Sequence, residues 1–169
     1  MKHAALALSL LVLAFTAGVP ARAADLTSAR RFLVSLYAHY PQGARNAFDP
    51  TGADAATVFD PSTIALFAEN NRLTPRGDVG AIDSDPICAC QDDGGLQPRI
   101  GAIQLLSPNR ASAVMVLTFA QASPPDVQRL ELTLVTVGGQ WRIFDIHSKD
   151  TPSFRAYLVK ANLEARRGH

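Results

Sequence analysis

The chain has 169 residues, 47% of them hydrophobic, with 16 Lys and Arg against 15 Asp and Glu. That is enough for one domain of ordinary size with a real hydrophobic core. A net charge this close to zero gives no electrostatic reason to expect nucleic acid or an anionic membrane surface as partner.

The first segment reads as a leader. Met1-Lys2-His3 is a short positive start, Ala4 to Val19 is an apolar run of 16 positions, and Pro20-Ala21-Arg22-Ala23 ends in an Ala-x-Ala pattern. This order is that of a secretory signal peptide. The run is short for a bilayer crossing of about 20 residues; a retained signal anchor is the alternative. Cleavage after Ala23 predicts an exported chain, periplasmic or secreted and off the membrane, with residues 24–169 as one domain. The 146 remaining residues carry 14 basic and 15 acidic side chains. No cysteine lies near the cleavage site to carry a lipid. An oxidising compartment permits the two cysteines to pair.

Leu26 to Tyr40 predicts an amphipathic helix. Phe32, Leu33, Leu36, Tyr37 and Tyr40 recur on one face, Thr27 or Ser28 can cap its start, and Pro41-Gln42-Gly43 stops it. Asp60-Pro61 opens a second helix, as cap and first helical residue. Ile64, Leu66 and Phe67 give it an apolar side, and it fades at Asn70-Asn71. Residues 72–98 are rich in Gly, Asp and Pro, a long irregular segment of the kind that is often functional.

Strands follow. The runs are Arg99 to Leu106, Ala111 to Gln121, Val127 to Val137 and Gln140 to Ser148. Ser107-Pro108-Asn109, Ser123-Pro124-Pro125-Asp126 and Gly138-Gly139 are the turns between them. Leu130, Leu132 and Leu134 share one face of the third run. Thr151-Pro152 predicts the start of a last helix, with Phe154, Tyr157, Leu158 and Leu163 on its buried side. Helices first and then a meander predict an α+β fold with helices on one face of a curved antiparallel sheet.

The unusual chemistry lies in Asp85-Pro86-Ile87-Cys88-Ala89-Cys90-Gln91-Asp92-Asp93. In an extended strand the two cysteine Cα atoms would lie roughly 6.5 Å apart, so a bridge between them needs a local bend. Closing so short a loop is worth only about 1.6 kcal/mol, which makes the bridge a weak staple and an easily reduced one. A local disulfide, buried unpaired thiols, redox exchange and metal binding all stay open. Metal binding is short of ligands, since only His39, His147 and His169 follow the leader. Redox exchange lacks the Cys-x-x-Cys at a helix start that lowers a thiol pKa. No metal and no cofactor are expected.

On the last strand, strict alternation puts Trp141, Ile143, Asp145 and His147 on one face, where Asp145 can orient His147 as a base. A charge at a strand edge and a surface histidine are the plainer reading. Tyr37 and Tyr40 are pocket candidates or core residues with a satisfied hydroxyl. No phosphate loop and no nucleophile elbow is present. The pocket candidates are therefore Tyr37, Tyr40, Asp85, Gln91, Asp92, Trp141, Asp145 and His147.

Three elements together resemble a known pattern: Phe32-x-x-x-Leu36-Tyr37-x-x-Tyr40, Asp85-Pro86-Ile87-Cys88-Ala89-Cys90-Gln91-Asp92, and Gly139-Gln140-Trp141-Arg142-Ile143-Phe144-Asp145-Ile146 before a short helix. The chain resembles the bacterial exported family called domain of unknown function 3828. The resemblance implies the cone-shaped nuclear transport factor 2-like fold, a strongly bent sheet wrapped around the first helix. It implies no activity and carries no catalytic residues; fold alone does not give function. The expected role is a non-catalytic module for a small ligand or a protein, with a second copy of the chain open as a partner. The alternatives are a cofactor-free cyclase or isomerase using Asp145 with Asp92 or His147, and thiol redox or metal handling through Cys88 and Cys90.

Overall fold

The computed structural model describes residues 25–40, 48–91 and 95–168. The expected leader, residues 1–23, lies outside the described residues, as do Asp92 and His169. The elements are α1 (Leu26–Tyr37), α2 (Ala55–Val58), α3 (Pro61–Leu73), β1 (Leu96–Ser107), β2 (Arg110–Phe119), β3 (Asp126–Val137), β4 (Gln140–His147) and α4 (Phe154–Gly168). The four strands form one open antiparallel sheet in the order β1-β2-β3-β4, with helices at both ends of the chain. The fold is α+β.

Helix α1 starts one cap earlier than the Thr27 or Ser28 expected. The Asp25 carboxylate accepts from the Ser28 backbone N–H at 2.6 Å, and the Ser28 hydroxyl accepts from the Asp25 N–H. This reciprocal capping box satisfies two amides that the helix leaves orphaned. The helix ends at Tyr37, not Tyr40. Its face of Ala29, Leu33, Leu36 and Tyr37 is buried against the sheet. Trp141 Nε1–H donates to Ser28 Oγ at 2.9 Å and ties the start of α1 to β4.

The inward face of the sheet follows the period of 2. On β2 it is Ala111, Ala113, Met115, Leu117 and Phe119, and on β3 it is Leu130, Leu132 and Leu134. Gly138 and Gly139 both have positive φ, +58° and +78°, the backbone that a two-residue hairpin turn demands. β1 begins three residues before the Arg99 expected, and Pro98 sits inside it, paired with Leu117. An edge strand tolerates a proline because its outward N–H has no ladder partner to lose.

β4 does not alternate as its sequence suggests. Thr133 pairs with Asp145 but Leu134 pairs with Ile143, so two steps on β4 oppose one on β3. Phe144 is the extra residue of a β-bulge. Ile143 and Ile146 both reach the core, at 0% and 4% exposure. Asp145 and His147 pair with Thr133 and Glu131 and so leave the face of Trp141 and Ile143. The shared face expected for Trp141, Ile143, Asp145 and His147 is corrected here: the bulge divides it after Ile143.

The outer side of β4 is closed by the segment before α3. Phe59 forms a parallel bridge with Ile143, the Asp60 N–H donates to the Ile143 carbonyl at 3.1 Å, and Arg142 Nε donates to the Ala56 carbonyl at 2.8 Å. α3 lies against α4. Asn70 Nδ2 donates to Asn162 Oδ1 at 2.9 Å, and Asn162 Nδ2 donates to the Leu66 carbonyl at 3.1 Å. Leu158 and Asn162 are the buried residues of α4, while Leu163 and Tyr157 are close to half exposed. The expected inward Leu163 is thus replaced by Asn162, whose amide is satisfied by α3. The start of α4 is also two residues late: Ser153 Oγ, not Thr151, accepts from the Ala156 N–H at 3.0 Å.

Candidate functional site

The Asp85–Cys90 loop closes on itself. The Asp85 N–H donates to the Cys90 carbonyl at 2.9 Å, and the Cys90 N–H returns to the Asp85 carbonyl at 3.3 Å. The Asp85 carboxylate accepts from the Ile87 N–H at 2.8 Å and from the Tyr40 hydroxyl at 2.6 Å. The Tyr37 hydroxyl donates to the Ile87 carbonyl at 2.9 Å. Ile87 and Cys88 are buried in the core. Two phenol hydroxyls therefore hold this loop, Tyr37 at the end of α1 and Tyr40 just beyond it, and the loop plugs the core beside the helix end.

Within the loop Cys88 and Cys90 form a disulfide, with Cα atoms 5.2 Å apart. The bend that the sequence required is at Ala89, whose φ is +53°. Burial pushes the Asp85 pKa up. Burial outweighs the hydrogen bonds from Tyr40, Ile87 and Cys88, and the charge of Asp49 adds a smaller upward push. Burial also raises Tyr37 and Tyr40, with the Asp85 charge as the next cause for both.

Asp145 and His147 come together, but in a structural setting. The Asp145 carboxylate accepts from the Arg155 N–H at 3.0 Å, the Ile146 N–H at 2.8 Å and the Ser153 hydroxyl at 2.7 Å. It is the anion at the start of α4, where free N–H groups and the helix dipole favour a negative charge. His147 Nε2 lies 3.1 Å from the Thr133 hydroxyl and 3.7 Å from Asp145 Oδ2. Its Nδ1 faces the Pro152 carbonyl, so that nitrogen carries the proton. The pair ties the end of β4 to the turn before α4.

The cavity forms elsewhere. A recess of about 250 Å³ lies between the 81–89 segment, the β3 and β4 residues Leu130 and Ile146, and the α4 residues Phe154 and Tyr157. Ser84, Ser148 and Thr151 add hydroxyls to its wall, and Asp83 adds a carboxylate. The Tyr157 hydroxyl donates to the Ala81 carbonyl at 3.1 Å and fixes the far side. Of the sequence candidates, Tyr37, Tyr40, Asp85, Trp141, Asp145 and His147 do not line this recess, and Asp92 lies outside the described residues. Gln91 lines a separate open groove with Cys90, Gln121 and Gln128. Ala89 borders both.

A polar cluster also escaped sequence reasoning. Asp60 accepts from the Ser62 and Thr63 amides at 3.0 and 3.3 Å and from both hydroxyls. Thr63 Oγ1 also lies 2.9 Å from the Phe144 carbonyl. The Arg155 guanidinium lies 3.6 Å from Asp60 and stacks 4.1 Å above the Phe144 ring. Burial opposes the Asp60 charge, yet the Ser62 and Thr63 donors and Arg155 hold its pKa below the usual carboxylate value. The signal for this cluster was the Asp60-Pro61 cap; its partner Arg155 gave none.

No cluster of three or more metal-binding side chains is found among the described residues. No helix there is long and apolar enough to cross a membrane.

No family model matches the chain, and no solved structure matches it. It is similar to the "Uncharacterized protein YqhG" of Escherichia coli (strain K12), with 36% identity over 80 residues. The match covers 47% of this chain and 25% of that protein, so the chain spans about a quarter of the length of the curated relative it matches.

Proposed function

We propose that this chain is an exported, non-catalytic binding module of the domain of unknown function 3828 type. In this reading the sheet and α1 form a cone like that of nuclear transport factor 2, and the recess beside α4 takes a small, mostly apolar ligand. The leader pattern of residues 1–23 supports export. One observation carries the binding reading. Tyr37, Tyr40, Asp85, Asp145 and His147 each already hold hydrogen bonds within the chain, while the recess presents Leu130, Ile146, Phe154 and Tyr157 with a few hydroxyls. A mostly apolar wall with a few polar groups is the usual composition of a ligand site. Its volume is at the small end of such sites, so the ligand is about the size of one or two fused rings. The enzyme alternative is weaker, because Asp145 already serves the start of α4 and does not line the recess.

The test is titration with a neutral naphthylamine dye that fluoresces in apolar surroundings. One saturable site is expected, with a Kd of about 1–100 µM. Ser84→Trp, which fills the recess, should weaken binding at least about ten-fold, and Asp145→Asn should leave the dye bound. Absence of saturable binding, or a Ser84→Trp variant that binds as the parent does, refutes the reading.

A further inference from the structure

We propose that Cys90 is a site of thiol–disulfide exchange, at which a small thiol or a dithiol reductant opens the Cys88–Cys90 bridge while the fold stays intact. This inference stands apart from the ligand reading of the recess.

The loop does not need the bridge to stay closed. Two backbone hydrogen bonds join Asp85 to Cys90, and the Asp85 carboxylate holds the Ile87 amide from inside. The phenols of Tyr37, at the end of α1, and Tyr40, just beyond it, fasten the loop from outside. A bridge that closes a ring of three residues adds little to such a frame, because the chain entropy it removes grows with ring size. Its cost is visible at the residue between the cysteines. Ala89 has a φ of +53°, the left-handed region that a Cβ disfavours several-fold. Opening the ring frees Ala89 to leave it.

The two sulfurs are also unequal. Cys88 is 1% exposed and belongs to the core. Cys90 is half buried and lines the open groove of about 490 Å³ beside Gln91, Gln121 and Gln128. A thiolate entering the groove meets the Cys90 sulfur. Attack there forms a bond between the incoming sulfur and Cys90 Sγ and breaks the bond from Cys90 Sγ to Cys88 Sγ. The electron pair goes to Cys88, which takes up a proton and becomes a thiol. Its sulfur lies 3.6 Å from the Asp85 carbonyl and 3.7 Å from the Cys90 carbonyl, acceptors already in place for the S–H. A second thiol then attacks the mixed disulfide, giving the Cys90 thiol and the oxidised reductant. The sum is two electrons and two protons taken from two thiols.

Equilibration of the purified full chain in a cysteamine and cystamine buffer, acid quench and peptide mass mapping test this. The expected adduct is on Cys90 and not on Cys88. Circular dichroism should show native backbone structure at the thiol concentration that opens the bridge. Ala89→Gly should shift the half-opening point about three-fold toward the oxidised form, since glycine accepts the left-handed backbone though it loosens the open loop. Cysteamine found on Cys88, a bridge that opens only on unfolding, or an Ala89→Gly variant with no such shift overturns the proposal.

Discussion

Two aspartates, Asp60 buried and Asp85 partly buried, do similar work with pKa shifts of opposite sign. Asp60 fastens the start of α3 to the outer side of β4, and Asp85 fastens the 85–90 loop to the end of α1. Asp60 is held by the Ser62 and Thr63 donors first and by the Arg155 charge last; together they outweigh burial, and its pKa is lowered. Asp85 also has hydroxyl and amide donors, but burial costs its charge more than they return, with Asp49 as a smaller addition, and its pKa is raised. Donors alone did not keep the second group in its usual range. A carboxylate withdrawn from water stays easily ionised only where the donors and cations around it outweigh the cost of its burial.

Breaking the Asp60 side should cost most. Asp60→Ala removes the cap of α3 and leaves Arg155 without its partner in a mostly buried place. A loss of about 3 kcal/mol is expected in urea unfolding. A loss below about 1 kcal/mol would mean that Arg155 swings to solvent and that Asp60 is only a cap. On the other side, Tyr40→Phe deletes one hydroxyl donor and should cost about 1.5 kcal/mol. The same substitution in an Asp85→Asn background should cost clearly less, and equal costs would show that the two groups are not coupled. Replacing both cysteines by alanine should cost under about 1.6 kcal/mol, the entropic ceiling for so small a ring. A larger loss would place the bridge among the supports of the loop.

The smallest effect separates the two regions by sign. A lowered folded pKa means that the Asp60 contribution is present above the ordinary carboxylate range and is lost as pH falls. A raised folded pKa means that the Asp85 contribution is present at low pH and is lost as pH rises through that value. From about pH 3 to 6, the deficit of Asp60→Asn against the parent should therefore grow, and that of Asp85→Asn should shrink. Unfolding curves across that range check both, and parallel trends would contradict the contrast.

Much of the fold was legible because its signals are local. Asp60-Pro61, Gly138-Gly139 and the alternation of Leu130, Leu132 and Leu134 each state their structure within a few residues. The chemistry of the candidate site was legible only in part. Asp85, Tyr37 and Tyr40 were grouped as pocket candidates, but Tyr40 bonds to Asp85 across 45 residues of chain and Tyr37 to the Ile87 carbonyl across 50, and nothing local announces such pairings. Asp145 was visible as a charge on a strand. Its true partners, the Arg155 N–H and the Ser153 hydroxyl, exist only once α4 turns back onto the strand. The recess was missed for the same reason, being assembled from the 81–89 segment, two strands and a helix.

The extra residue at Phe144 has a consequence for how the chain bears change in length. Before it, odd-numbered residues of β4 face inward; after it, even-numbered ones do. The strand thus holds one residue in reserve. Loss of a single residue near that point can be absorbed by straightening, with Ile143 and Ile146 kept inside. β3, paired with β2 in unbroken register from Asp126 to Val135, holds no such reserve. A residue lost from its middle would turn half of its leucines out to water. Tolerance to insertion and deletion should therefore be higher in β4, and in β1 with its own two register shifts, than in β2 and β3.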